Sequence, residues 1–227
     1  MTQQAGDYGL GELGFASLPS ILTESDCRDI DDFLRSTPLG NAGSRNLLEA
    51  NWCAAVAIRL RNSQALAQIL NASVAVQCTY FDKNPDVNWL VSVHQDLSIP
   101  VRFRVESDGL TGWNVKEGRT FVQAPTDILE RMVAVRVHLD DSGPDNGPLR
   151  IVPRSHLLGR LPSDAHRARR AELGEVECHA PRGGVVLMKP LLLHGSSKAT
   201  SPRSRRVLHF LFGPTALPLG LEWAHIV

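Results

Sequence analysis

An imidazole and a carboxylate stand two residues apart in Val91-Ser92-Val93-His94-Gln95-Asp96, inside an apolar, β-branched run. On a strand, residues i and i+2 point to one face, so His94 and Asp96 can reach one metal ion together. A third donor has to come from elsewhere in the chain. His194, in Leu191-Leu192-Leu193-His194-Gly195-Ser196, is the best candidate. Two imidazoles and one carboxylate on rigid strands form a facial set with open coordination positions, the arrangement suited to non-haem Fe(II). Taken alone, His-x-Asp is a common tripeptide and its histidine is an ordinary polar residue. The weight therefore rests on the elements that would bring these side chains together.

Residues 1–20 carry little periodicity and read as a loop with one short strand. Thr23 caps the first helix, with Asp26 at its N3 position, and Cys27, Ile30, Phe33 and Leu34 form its apolar stripe. Pro38-Leu39-Gly40 ends it. Residues 47–60 read as a second helix, and Ser63 as the cap of a third. Arg45, in Gly43-Ser44-Arg45-Asn46, could reach a pocket but reads better as a surface arginine. From Val74 the apolar period changes to two. Residues 74–81, the approach to His94, and residues 132–140, 149–152, 185–188, 190–194 and 206–212 read as short strands. Asp82-Lys83-Asn84-Pro85-Asp86 is turn chemistry, and Asp145-Asn146-Gly147 is a hairpin signal. Residues 97–126 contain Gly109, Gly112 and Gly118 and read as a long loop carrying Trp113, Lys116, Arg119 and Phe121. A loop of that length is commonly a lid. On the strand 132–140, Val133, Val135, Val137 and Leu139 face one way and Ala134, Arg136, His138 and Asp140 the other. Arg136 and His138 can then serve an anionic substrate or co-substrate.

Helices at the front and at least seven strands behind them give an α+β chain whose strand part is a sandwich or jelly roll. In a jelly roll, inward side chains from strands remote in sequence meet in a wide mouth. No Pro/Gly/Ser-rich linker divides the 227 residues. One domain is expected over 1–227, with a mainly helical part at 1–73 and the jelly-roll core at 74–213. A formal net charge of zero and a pI near 7.1 argue against nucleic acid or an anionic membrane as partner. No apolar run is long enough to cross a bilayer, and Met1-Thr2-Gln3-Gln4 lacks a secretory pattern. Cys27, Cys53, Cys78 and Cys178 are far apart and read as reduced, buried thiols, which suits the cytoplasm. Oligomeric state is not legible.

In their order, the motifs resemble the phytanoyl-CoA dioxygenase-like family of Fe(II)/2-oxoglutarate-dependent oxygenases. Phe81-Asp82-Lys83-Asn84-Pro85 leads to His94-Gln95-Asp96. Asn146-Gly147-Pro148-Leu149 is followed by Pro153-Arg154-Ser155-His156. Gly183-Gly184-Val185-Val186 leads to His194-Gly195-Ser196, and Arg205 stands eleven residues after His194. The resemblance runs over roughly residues 74–213, with a similar opening around the first helix. It implies a double-stranded β-helix, a jelly-roll variant. It also implies Fe(II) on His94, Asp96 and His194, and 2-oxoglutarate held by Arg205 and Ser196. Thr79, Lys83 and Arg136 are placed beside the co-substrate as further candidates. The chain departs from the pattern at Val93, where many members have Trp, and at Arg154, where most have Gly. Arg136 stands where some relatives have an aromatic pocket residue, so substrate choice does not carry over.

The implied reaction consumes O2, converts 2-oxoglutarate to succinate and CO2, and hydroxylates a C–H bond of a small, polar or carboxylated molecule. A carboxylate at position 96 occupies the place a halide would need, which favours hydroxylation over halogenation. Arg205 offers a planar fork to the far carboxylate of 2-oxoglutarate that a lysine would not. Two other readings stay open on the residues alone. One is a cupin-like metal enzyme that does not use 2-oxoglutarate, for which Arg205 and Ser196 would have no task. The other is a non-catalytic, ligand-binding jelly roll.

Overall fold

The computed structural model of the chain describes residues 8–37 and 43–227. The expected helix end at Pro38-Leu39-Gly40 and the N-terminal Met1-Thr2-Gln3-Gln4 lie outside them. The first residues are more ordered than a loop: a one-turn helix α1 (Leu10–Leu13) leads into strand β1 (Phe15–Leu18). Thr23 and Asp26 then start α2 (Glu24–Ser36) with a capping box. Asp26 N–H donates to Thr23 Oγ1 at 3.2 Å, and Thr23 N–H donates to Asp26 Oδ2 at 2.8 Å. Cys27, Ile30 and Leu34 are buried, whereas Phe33 stays exposed and stacks on Trp52.

The expected helix over 47–60 is interrupted. Leu47–Glu49 forms a 3-10 turn, Ala50 is extended with ψ of 131°, and α3 (Asn51–Asn62) starts after it. Ser63 does not cap a following helix; its hydroxyl donates back to Leu60 O. The third helix, α4, is a single turn, Ala67–Leu70.

The strands are β2 (Gly43–Ser44), β3 (Ser73–Lys83), β4 (Val91–His94), β5 (Ser98–Val101), β6 (Thr111–Lys116), β7 (Arg119–Gln123), β8 (Val133–His138), β9 (Leu149–Ile151), β10 (Val176–Cys178), β11 (Val185–Met188), β12 (His194–Ser196) and β13 (Arg205–Pro214). Short helices α5 (Thr126–Glu130) and α6 (His166–Leu173) interrupt them, so helices are not confined to the front. Among the described residues the strands form three antiparallel sheets, ordered β1-β11-β8-β13-β3-β2, β10-β9-β12-β4 and β5-β7-β6. The first two face each other as the double-stranded β-helix.

Three expectations are corrected here. Asp145-Asn146-Gly147 does not close a hairpin, because β8 and β9 belong to different sheets; the segment crosses from one sheet to the other. Asn146 shapes this crossing by accepting from Gly143 N–H and donating to Asp141 O. The strand expected over 190–194 starts only at His194, and the buried Leu191, Leu192 and Leu193 lead into it. Residues 97–126 are not a long structureless loop: β5, β6 and β7 within them form the third sheet, with Ile99, Phe121 and Val122 buried. Short strands of mixed glycine content hide their period, and the pairing partner supplies the order.

The outer face of the large sheet carries the apolar side chains Val133, Val135, Val137, Leu208, Phe210 and Phe212, which pack against Ile30 and Leu60 of the helices. Burying each such side chain contributes roughly 1.5–3 kcal/mol. Arg206 locks this interface: it forms a fork on Asp140 (2.9 and 2.7 Å) and reaches Asp31 of α2 at 2.7 Å. Those partners raise its pKa further, the Asp140 hydrogen bond first. The inner face of the same sheet mixes apolar side chains, among them Ala134, Val186, Met188 and Leu211, with the polar Thr79, Arg136, His138, Arg205 and His209.

Candidate metal centre

His94 closes β4 and His194 opens β12, and the two are register partners. Their rings stand 4.2 Å apart between centroids. Asp96 lies just past β4, with its N–H donated to Pro190 O at 2.9 Å. Its carboxylate reaches both rings, with Oδ1 3.4 Å from His94 Nε2 and Oδ2 3.5 Å from His194 Nε2. One donor atom from each of the three residues falls within 4.8 Å of the others. Both Nδ1 atoms face backbone carbonyls, His94 towards Ser92 O at 2.8 Å and His194 towards Leu192 O at 2.9 Å. A carbonyl can only accept, so each Nδ1 carries the proton and each Nε2 lone pair is turned to the shared centre. This donor set fits a divalent metal.

The electrostatics favour a neutral His194 and an ionised Asp96. Burial lowers the His194 pKa to about 4 against the pull of Asp96, leaving its ring neutral. At Asp96 burial opposes ionisation, but attraction to the His194 imidazole, the hydrogen bond and charge of His94, and attraction to His209 outweigh it and hold the carboxyl well below the usual range. Burial also opposes protonation of His94, but the hydrogen bond and charge of Asp96 prevail and raise it.

Gln95, between the two ligand candidates, points the other way. Its amide donates to Gly159 O and Leu191 O and accepts from Leu161 N–H. This pins the segment on which His94 and Asp96 sit. Gly195 is needed for a similar reason: a Cβ there would meet Val91 O at 2.7 Å, blocking the approach of β12 to β4.

Strand register arranges the remaining candidates in rungs across the inner face. Arg205 pairs with Lys83, Val207 with Phe81 and His138, and His209 with Thr79 and Arg136. Partners in register point to the same side, so alternation on β13 sends Arg205 inward and Arg206 outward. Arg205 is 3% exposed; its Nε donates to Asn146 O at 3.3 Å and its Nη1 is buried without a partner among the described residues. Burial, then the neighbouring Arg136, lowers its pKa to about 9. Lys83 is fully buried and donates to Ser196 Oγ (3.1 Å) and Ser197 O (2.6 Å). Burial, then Arg205 and Arg136, brings its pKa to about 8. Gly147 makes room beside this group, with φ of 68° and Ser197 O only 2.5 Å from where a Cβ would sit.

A cavity of about 600 Å³ opens over these residues and is lined by His94, Asp96, His194, Ser196, Arg205, Arg136 and Thr79 among others. The fold thus brings the expected residues together, with Lys83 just behind Ser196. Thr79 is less free than the sequence suggests, since its hydroxyl accepts from Gln77 Nε2. Arg45, expected at the surface, reaches the cavity wall and pairs with Glu117 at 2.8 Å. Gln77 and Trp89 also line it, without a signal in the sequence, and so does His209. Only His209 left a trace in the sequence, through its alternation with Arg205.

Fold and donor set define a double-stranded β-helix with a facial His/Asp/His site between its sheets. The chain belongs to the phytanoyl-CoA dioxygenase (PhyH) family, whose model matches residues 14–207. It is similar to ectoine dioxygenase from Halomonas elongata, 27% identical over 86% of this chain. The chain spans 60% of that relative's length. Its structure is similar to HygX from Streptomyces hygroscopicus, solved with nickel and 2-oxoglutarate bound (TM-score 0.65, 18% identity, 95% of this chain and 88% of that one). EctD from S. alaskensis is another such neighbour (TM-score 0.67, 16% identity, 98% and 81%). At these identities the likeness is one of fold.

Proposed function

We propose that the chain is an Fe(II)- and 2-oxoglutarate-dependent dioxygenase that hydroxylates a C–H bond of a small polar or carboxylated molecule, releasing succinate and CO2. The observation that carries this reading is a single cavity holding both the His94/Asp96/His194 set and a buried guanidinium, Arg205, that no carboxylate faces among the described residues. The metal would supply O2 activation when bound. His94, Asp96 and His194 hold it, and the fixed Nδ1 tautomers keep their rings aimed. Arg205 binds the far carboxylate of 2-oxoglutarate through two parallel hydrogen bonds, with Ser196 and Lys83 beside it. Thr79 and Arg136 complete the wall. The protein's contribution is position and the exclusion of water.

The family membership and the bound 2-oxoglutarate in the HygX structure support this reading over a metal enzyme without that co-substrate. Arg205 and Lys83 favour it too, since buried cations facing no carboxylate are costly unless a ligand pairs them. We read the chain as one domain, because the helices and the jelly roll share the large sheet. The four cysteines are buried and free, which supports a reducing, cytoplasmic setting. Among the described residues no helix is long and apolar enough to cross a membrane. The test is succinate formation from 2-oxoglutarate across a metabolite panel, with and without O2. Oxygen-dependent succinate that one panel member stimulates supports the function. No turnover by iron-loaded protein overturns it.

A further inference from the structure

The walls of the cavity are strongly unbalanced in charge. Arg45, Lys116, Arg136 and Arg205 line it, against one carboxylate, Asp96. A divalent metal's charge would be matched by the two carboxylates of 2-oxoglutarate, so the excess of wall cations would remain. Arg45 is answered by Glu117. Lys116 lies over the Phe121 ring, 5.2 Å from its centroid. Arg136 is the buried member that co-substrate binding at Arg205 does not explain.

Arg136 is 7% exposed and lies 5.6 Å from the centroid of the Phe81 ring. Its Nη1 donates to His209 Nδ1 at 2.9 Å, while its Nε is buried with no partner among the described residues. Its rung is not the rung of Arg205. Four residues of β13 separate Arg205 from His209, the partner of Arg136. That is about 14 Å of backbone at roughly 3.4 Å per residue, although the two guanidinium groups lean close enough for Arg136 to act on Arg205. The metal set joins the two rungs. His209 Nε2 is 3.9 Å from Asp96 Oδ2 at one end, and Ser196, two residues past His194, accepts from Lys83 at the other. A 2-oxoglutarate reaching from the metal to Arg205 occupies the second end and leaves the first. Asp96 is the carboxylate that acts on Arg136, and once Asp96 serves the metal the guanidinium there favours a second anion, its planar fork suiting a carboxylate.

We propose that Arg136 anchors the substrate, and that the substrate is a small carboxylic acid whose carbon skeleton lies against Phe81, Trp89 and Phe121. This rests on the reading that 2-oxoglutarate is held at Arg205. The cavity volume of about 600 Å³ suits a small molecule beside the co-substrate.

The test is binding to protein loaded with nickel and 2-oxoglutarate, which needs no turnover. A thermal-shift panel compares each small carboxylic acid with its amide, its amine and a phosphate monoester of the same skeleton. Calorimetry then gives the Kd of each hit. Carboxylic acids alone should stabilise the wild type. Arg136→Gln should weaken their binding about thirtyfold or more, Arg136→Lys should restore part of it, and the Kd of 2-oxoglutarate should move less than about threefold. The proposal is overturned if amides, amines or phosphate esters bind as well as acids, or if no acid binds. It is also overturned if Arg136→Gln weakens 2-oxoglutarate as strongly as Arg205→Gln, which would make Arg136 a co-substrate contact. The acid-to-amide comparison stands on wild-type protein should the variants fail to fold. Failure of the wild type to bind 2-oxoglutarate at all sinks the proposed function itself, a separate result.

Discussion

His94 and His194, a hundred residues apart in sequence, are direct partners across the β4–β12 ladder. The metal set is therefore built on a cross-strand pair, with Asp96 reaching both rings from just beyond it. Replacing either histidine by alanine should remove most metal binding while the fold survives, since β12, which carries His194, is held on both sides by β4 and β9, and the segment of His94 is pinned by Gln95. Metal analysis should give about one ion per chain for the wild type and far less for His94→Ala and His194→Ala. Asp96→Ala should abolish hydroxylation; undiminished turnover would mean that Asp96 is not a ligand.

Arg205 and Arg206 are adjacent but serve opposite faces of one strand. Arg205→Ala should weaken 2-oxoglutarate binding by a factor of hundreds or more, from about 3–5 kcal/mol for a buried ion pair, and leave metal binding in place. Arg206→Ala should instead loosen α2 from the sheet by losing Asp140 and Asp31. Calorimetric titration of 2-oxoglutarate and urea unfolding of both variants separate these effects.

If Lys83 contacts 2-oxoglutarate, as proposed, binding of the co-substrate should depend on pH. The Lys83 pKa is lowered to about 8 by burial and then by Arg205 and Arg136. The protonated form is the one that attracts a dicarboxylate. Affinity should hold below pH 8 and fall as pH rises through it, up to about tenfold per unit. In Lys83→Met the affinity should be lower and flat over the same range. A wild-type profile that is flat from pH 7 to 9.5 would contradict this.

The β6–β7 hairpin is tied at its tip. Glu117 accepts from Arg45 N–H and Arg45 Nη1, and its carbonyl accepts from Asn46 Nδ2. Trypsin should cut slowly after Lys116 and Arg119 in the wild type, and at the same rate with or without 2-oxoglutarate. Glu117→Ala should speed that cleavage several-fold. Strong protection of the wild type by ligand would restore the idea of a lid.

Arg154 adopts φ of 67°, a left-handed conformation that costs a non-glycine residue about 1 kcal/mol. Arg154→Gly should stabilise the chain by up to that amount, offset in part by the exposed pair with Glu12. Urea unfolding measures it.

What the sequence determined by itself was local chemistry. The Thr23/Asp26 capping box, the two faces of β8 and the opposite facing of Arg205 and Arg206 follow from periods of two or 3.6 and from neighbours within four residues. The spacing of His94 and Asp96 belongs with them. Tertiary structure decided which strands meet. Asn146-Gly147 looks like a hairpin turn because turn chemistry is the same whether the chain returns to its own sheet or crosses to the facing one. Residues 97–126 look structureless because their short strands are stabilised by pairing with each other, not by their own pattern. Arg45 looks like a surface residue, and only the seating of β2 beside β3 and of Glu117 against it brings the guanidinium to the cavity wall. The excess of positive charge there is likewise invisible in a chain of zero net charge. It arises because folding gathers Lys116, Arg136 and Arg205 around one opening while most of the acidic residues stay outside it.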